Sequence, residues 1–132
     1  MVGENRILKA STILIKADPT IQTRNTYTVR WNNVKKKADL YCAMGLLACK
    51  TGMMGDIGRI LGSLNEVFIN NFGASEKEMN VTHTCPVQEC VIAEEYNSMC
   101  YAGGVSGMVI HLNDRHSWSF KQIGNWLKGI DL

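Results

Sequence analysis

The apolar residues of this chain recur mostly at helical spacing, and that periodicity limits the possible fold more than any other feature of the sequence. Phe120, Ile123, Trp126, Leu127 and Ile130 put the large apolar side chains of the last segment on one helical face. Leu40, Ala43, Met44, Leu47 and Ala48 form a second stripe, predicting a helix from about Ala38 to Lys50 with Gly52 placed to end it. Ala43, Gly45 and Ala48 keep that helix thin enough for a close neighbour. Ile57, Ile60, Leu61, Leu64, Val67 and Phe68 predict a third helix from about Asp56, as N-cap, to Asn71, closed at Gly73. Nearer the N-terminus, Ile7, Leu8, Ser11, Leu14 and Ile15 share a face. Asp18-Pro19 stops that helix, because the residue before a proline avoids the helical region. One run has the period of a half-buried strand: Tyr27, Val29 and Trp31 alternate with Thr28 and Arg30, and Asn32-Asn33 punctuates its end.

The rest is less periodic. The stretch from Gly73 to Cys90 is polar, holds Pro86 and is expected to be a loop, while "VIAEEYNSMC" suits a short helix. Three glycines precede Val109, Ile110 and Leu112, which suit either a short strand or the buried start of a final turn. The expectation is a compact, mainly α single domain over residues 1–132, with about four helices and at most a small strand element. A chain of 132 residues can build one hydrophobic core without covalent staples.

Composition narrows the class of partner. With 45% hydrophobic and 20% charged residues the chain has an ordinary globular profile, and a net charge of +2 lacks the clustered basic signal of a dedicated nucleic-acid binder. The one basic run, Lys35-Lys36-Lys37, is expected to be a solvated approach to the helix after it rather than a phosphate contact. No apolar stretch reaches the ~18 residues needed to span a bilayer, and "MVGENRILKA" has no apolar leader core. A cytoplasmic location follows as the expectation, which makes the match of Asn80-Val81-Thr82 to a glycosylation triplet meaningless. The five cysteines, an odd number, then suit thiols or metal ligands rather than a disulfide frame.

Two pairs among the candidate ligands share a spacing. Four residues separate Cys85 from Cys90, and four separate His111 from His116. Soft thiolates and imidazoles in C-x4-C and H-x4-H pairs suit tetrahedral zinc, and such a site would tie the loop to the last helix. The interval between the pairs exceeds that of an ordinary zinc finger; Cys100 and His83 are further candidates there. Against the metal stands the common use of a cytosolic Cys as a small buried apolar residue. Cys42 and Cys49, seven apart on the predicted second helix, are expected to be such packing residues. A nucleophilic pair of Cys85 or Cys100 with His111 or His116 would need an oriented histidine that no sequence pattern supplies.

The stretch "HLNDRHSWSF" around those histidines also has a local role. Ser119-x-x-Gln122 fits a capping box, Trp118 stands where an apolar residue can staple to Ile123, and Asn113 and Asp114 suit an Asx turn. "WSFKQIGNWL" has the look of the first helix of a helix-turn-helix unit. The recognition helix that should follow has no room in the five residues after Leu127. Ala102 to Gly107 is glycine-rich but has no P-loop lysine, so it is expected to be a flexible connection.

"YCAMGLLACKTG" followed by "VIHLNDRHSWSFKQIGNWL" resembles a group of small proteins from bacteriophage and prokaryotic genomes for which no activity is established. The resemblance is carried by Cys42, Ala43, Gly45 and Leu47, then His111 to Asp114, His116, Trp118, Ser119, Ile123, Trp126 and Leu127. It departs at Leu46, and at Gly124, where the group has Ala. It assigns no catalytic residue and implies a viral or mobile-element origin. The expected function is a small non-enzymatic binding module, for example an antagonist of host defence, with a structural zinc. Its partner would be a protein or a second copy of itself rather than nucleic acid or membrane. The alternatives are a self-associating virion or assembly component and a small thiol- or metal-dependent hydrolase.

Overall fold

The computed structural model describes residues 9–24, 29–55, 58–87, 90 and 104–132. Six α-helices and one two-stranded hairpin appear among them, the mainly α architecture with a small strand element that the periodicity predicts. The helices are α1 (Ala10–Lys16), α2 (Ala43–Lys50), α3 (Leu64–Phe72), α4 (Glu76–Met79), α5 (Gly104–Asp114) and α6 (Phe120–Gly129). The hairpin pairs β1 (Val29–Asn32) with β2 (Lys37–Tyr41).

α2 is the central element. Every residue from Ala43 to Ala48 is buried, as expected of a helix surrounded by neighbours rather than laid on a surface; α1, α3 and α5 pack around it. Its end is a Schellman motif: Gly52 takes φ 76°, its N–H donates to Cys49 O, and the Met53 N–H donates to Ala48 O (2.8 Å). Its start differs from the prediction. Lys37–Tyr41 leaves the helix stripe and pairs antiparallel with β1 in the register Val29↔Tyr41, Arg30↔Leu40, Trp31↔Ala38 and Asn32↔Lys37. A bulge between Arg30 and Trp31 lets Asp39 stand opposite no partner. Lys35 and Lys36 therefore sit in a hairpin turn, with Lys37 opening β2, instead of leading into a helix. Asn32 fixes that turn by accepting from Val34 N–H (3.0 Å) and Lys35 N–H (2.9 Å).

The third helix also starts late. Gly62 holds φ 108°, which no helix accommodates, and Ser63 rather than Asp56 caps α3 by accepting from the Glu66 N–H. Asp56 and Ile57 lie outside the described residues, as do Ile7, Leu8, Tyr27, Thr28 and the 91–100 segment. The expected 73–90 loop contains a helical turn, α4, whose capping box joins Ser75 and Glu78. Val109, Ile110 and Leu112, expected in a short strand or at the buried start of a final turn, lie inside α5, and Gly104 to Gly107 is its first turn rather than a flexible connection. Burial overrides propensity there, since nine of the residues of α5 are buried, from Gly104 to Asn113.

α1 packs most closely against α6. Gly124 allows that approach: a Cβ on it would stand 2.8 Å from Ile15 Cγ1 and 2.9 Å from Ser11 O. The ends of this pair are tied, with Ser11 N–H donating to Leu132 O (3.2 Å) and Lys9 paired to Asp131 (2.9 Å). Leu14, Met44, Leu47, Phe68, Phe72, Met79, Met108, Leu112, Phe120, Ile123 and Leu127 fill the common core. Among the described residues no helix is long and apolar enough to cross a membrane.

Candidate metal centre

The reversal between α5 and α6 carries one functional-looking cluster on each side. On one side, Cys85, Cys90, His111 and His116 place their ligand atoms within 4.8 Å of one another. His111 is buried in the last turn of α5, and His116 follows just beyond the helix. Cys85 comes from the segment after α4, which His83 holds against α6 by meeting Trp126 edge to face at 5.3 Å. His83, proposed from sequence as a further ligand, is thus a packing residue outside the cluster; Cys100 lies outside the described residues.

The separations can be compared with a tetrahedron. Cys85 Sγ lies 3.4 Å from His116 Nε2, and Cys90 Sγ lies 3.5 Å from His111 Nε2 and 3.2 Å from His116 Nε2. The two Nε2 atoms are 3.1 Å apart, with the rings crossed at 84°. Zinc bonded at ~2.3 Å to sulfur and ~2.05 Å to nitrogen would set the tetrahedral edges at about 3.5 Å for S···N and about 3.3 Å for N···N. Four soft donors converge at ligating distances, so they could hold a metal ion. Both histidines would bind through Nε2.

Burial keeps the donors neutral. Burial is the main cause that pushes the Cys85 thiol up, and the neighbouring Cys90 thiol adds to it. Burial holds the His116 imidazole below its usual range. Protein alone therefore prefers a neutral thiol and a neutral ring here. Neutral imidazole is the form that binds metals, and a bound cation reverses the penalty on the thiolate.

On the other side stands a polar node that the sequence pattern did not reveal. Asn113 is fully buried within the last turn of α5 and does not form the expected Asx turn. Its Oδ1 accepts from Ala43 N–H (3.1 Å) and Gln22 Nε2 (2.8 Å), and its Nδ2 donates to Thr23 O (3.0 Å) and Asp114 Oδ1 (2.8 Å). All four capacities of the amide are filled. Gln22 is equally saturated. Its Nε2 also donates to Trp118 O (2.8 Å), and its Oε1 accepts from Phe120 N–H (3.1 Å) and Arg24 Nη2 (3.3 Å). Ala43 and Phe120 are the first residues of α2 and α6. The two amides thus each satisfy one orphan N–H at converging helix N-termini, where a carbonyl dipole is well placed.

The same turn uses the remaining motif residues. Asp114 ends α5, and the reversal is made by Arg115 to Ser117, with Ser117 at φ 53°. Trp118 is half-buried against the core, and its N–H donates to Leu112 O (3.0 Å). Ser119 and Gln122 form the capping box of α6, through Gln122 N–H to Ser119 Oγ (3.2 Å) and Ser119 N–H to Gln122 Oε1 (2.9 Å).

The other two described thiols differ from each other. Cys42 is buried as the N-cap of α2, accepting from the Gly45 N–H, and burial pushes its thiol up to about 11. Cys49 is exposed instead of packed, with its Sγ 3.8 Å from the Tyr41 hydroxyl. A thiol raised as Cys42 is holds little thiolate and makes a poor nucleophile. No protein-family model, curated protein or solved structure matches this chain.

Proposed function

We propose that this chain is a small, non-enzymatic binding module whose C-terminal third is locked by a structural zinc ion. The convergence of Cys85, Cys90, His111 and His116 carries this reading. Two thiolates and two imidazoles suit zinc better than harder cations, and four protein ligands complete a tetrahedron. A hydrolytic zinc keeps one position for water, so a complete set speaks for a structural ion over a hydrolase. The ion would join the segment after α4 to the α5–α6 reversal. The module so braced would serve an accessory role in which a rigid surface binds a protein partner or a second copy of the chain.

Elemental analysis of protein purified without chelator tests the metal. About one zinc per chain is expected, and less than about 0.2 would overturn the reading. Light scattering separates the partners. A monomer favours a heterologous protein target, whereas a discrete oligomer favours self-association, as in a virion or assembly component.

A further inference from the structure

On an uninterrupted helix, five residues turn the chain through 500°, so His116 would sit about 140° round the axis from His111. The two Nε2 atoms nevertheless meet at 3.1 Å. His116 therefore lies off the helix, which ends at Asp114, and the chain reverses directly after it through Ser117, in the left-handed region at φ 53°, a conformation that costs any residue with a Cβ. Something must hold that turn. Arg24 Nη2 donates to Ser117 O (3.1 Å) and Trp118 O (3.3 Å), the two carbonyls directly after His116. Gln22 Nε2 donates to the same Trp118 O (2.8 Å) and is itself fixed by Asn113. Arg24 takes this position although its Nε is buried with no hydrogen-bond partner among the described residues.

We infer that Arg24, supported by Gln22, is the positioning residue of the metal centre: its guanidinium clamps the Ser117 and Trp118 carbonyls and so aims His116 Nε2 at the ion. This rests on the zinc reading above. Arg24 touches no ligand atom and sits about ninety residues before His116 in the chain, so its action is through the turn. Groups that orient metal ligands from outside the coordination sphere change affinity by about 10–100-fold when removed.

The test is zinc affinity by chelator competition, together with the visible d–d bands of cobalt-substituted protein, which report tetrahedral geometry. Arg24→Met keeps the aliphatic bulk and removes the guanidinium; Arg24→Ala is the second variant; both are checked for folding by circular dichroism. Val67→Ala, in the core of α3, is the control that lowers melting temperature without touching the turn. The expected result is zinc bound at least about tenfold more weakly by both Arg24 variants, with altered cobalt bands, while Val67→Ala keeps wild-type affinity and spectrum. Wild-type affinity and bands in Arg24→Met would overturn the clamp while leaving the metal reading intact. Equal weakening in Val67→Ala would also overturn it. Wild-type protein that binds neither metal would remove both readings at once.

Discussion

The amide node and the Cys/His cluster flank the same chain reversal, yet they are complete in different senses. In the node every capacity of Gln22 and Asn113 meets a protein partner. In the cluster four potential ligand atoms lie within 4.8 Å of one another. A group whose every capacity is filled by distant protein partners belongs to the fold; a set of four converging thiol and imidazole donors could in addition hold a metal ion. The chemistry of the donors separates the two places: amides that close on the backbone in one, thiols and imidazoles that close on each other in the other.

The comparison can be broken first at the node. Asn113→Leu removes the acceptor of the buried Ala43 N–H and one partner each from Gln22 Nε2, which keeps Trp118 O, and from Thr23 O; the unsatisfied buried N–H alone costs about 1–3 kcal/mol. A loss of about 3 kcal/mol is expected in denaturant unfolding, with or without zinc. A loss under about 1 kcal/mol would show that the node is not integral to the fold.

Metal removal acts on the other side. Free zinc a hundredfold above its dissociation constant adds about 2.7 kcal/mol, so chelation should lower the melting temperature by several degrees. His116→Ala and Cys90→Ser should each start from that lower value and no longer respond to chelator. A chelator response that survives in His116→Ala would place the ion elsewhere.

A smaller effect is expected at the α6 cap, which both clusters share as a neighbour. Ser119→Ala removes one side-chain acceptor and should cost about 1 kcal/mol without changing zinc content. Zinc loss in this variant would mean that the capping box, and not Arg24, sets the turn.

The least perturbing experiment is thiol alkylation at neutral pH. Cys49 should react readily and Cys42 hardly at all, since its thiol is buried and raised to about 11 and so carries little thiolate at that pH. Chelator should speed the reaction of Cys85 and Cys90 alone. Mass mapping that shows Cys42 exposed by chelator would join the two regions into one cooperative unit.

Sequence legibility followed the range of the interaction. The ligand pairs could be picked out because each spans only a few residues, and the Ser119–Gln122 box is equally local. Asn113 was misread because its partners are 70, 90 and 91 residues away and its local options looked sufficient. Gln22 and Arg24 carry no local pattern at all. The start of α2 failed for a related reason: Leu40 continues the helical stripe, but the backbone of Lys37–Tyr41 finds better hydrogen bonds in β1. At α5, glycines that lower helix propensity instead permit close packing inside the core.

The span of the contacts also orders events in time. The Cys85–His116 contact closes 31 residues, whereas the Gln22–Asn113 bond closes 91. Loop-closure entropy makes the longer closure costlier by about 1 kcal/mol before any contact is made. The closure that joins the candidate ligands is therefore the cheaper of the two. Were zinc bound, it would act on the folding chain as a clasp between the segment after α4 and the end of α5, which needs the shorter closure, and the amide node would be the costlier latch to shut.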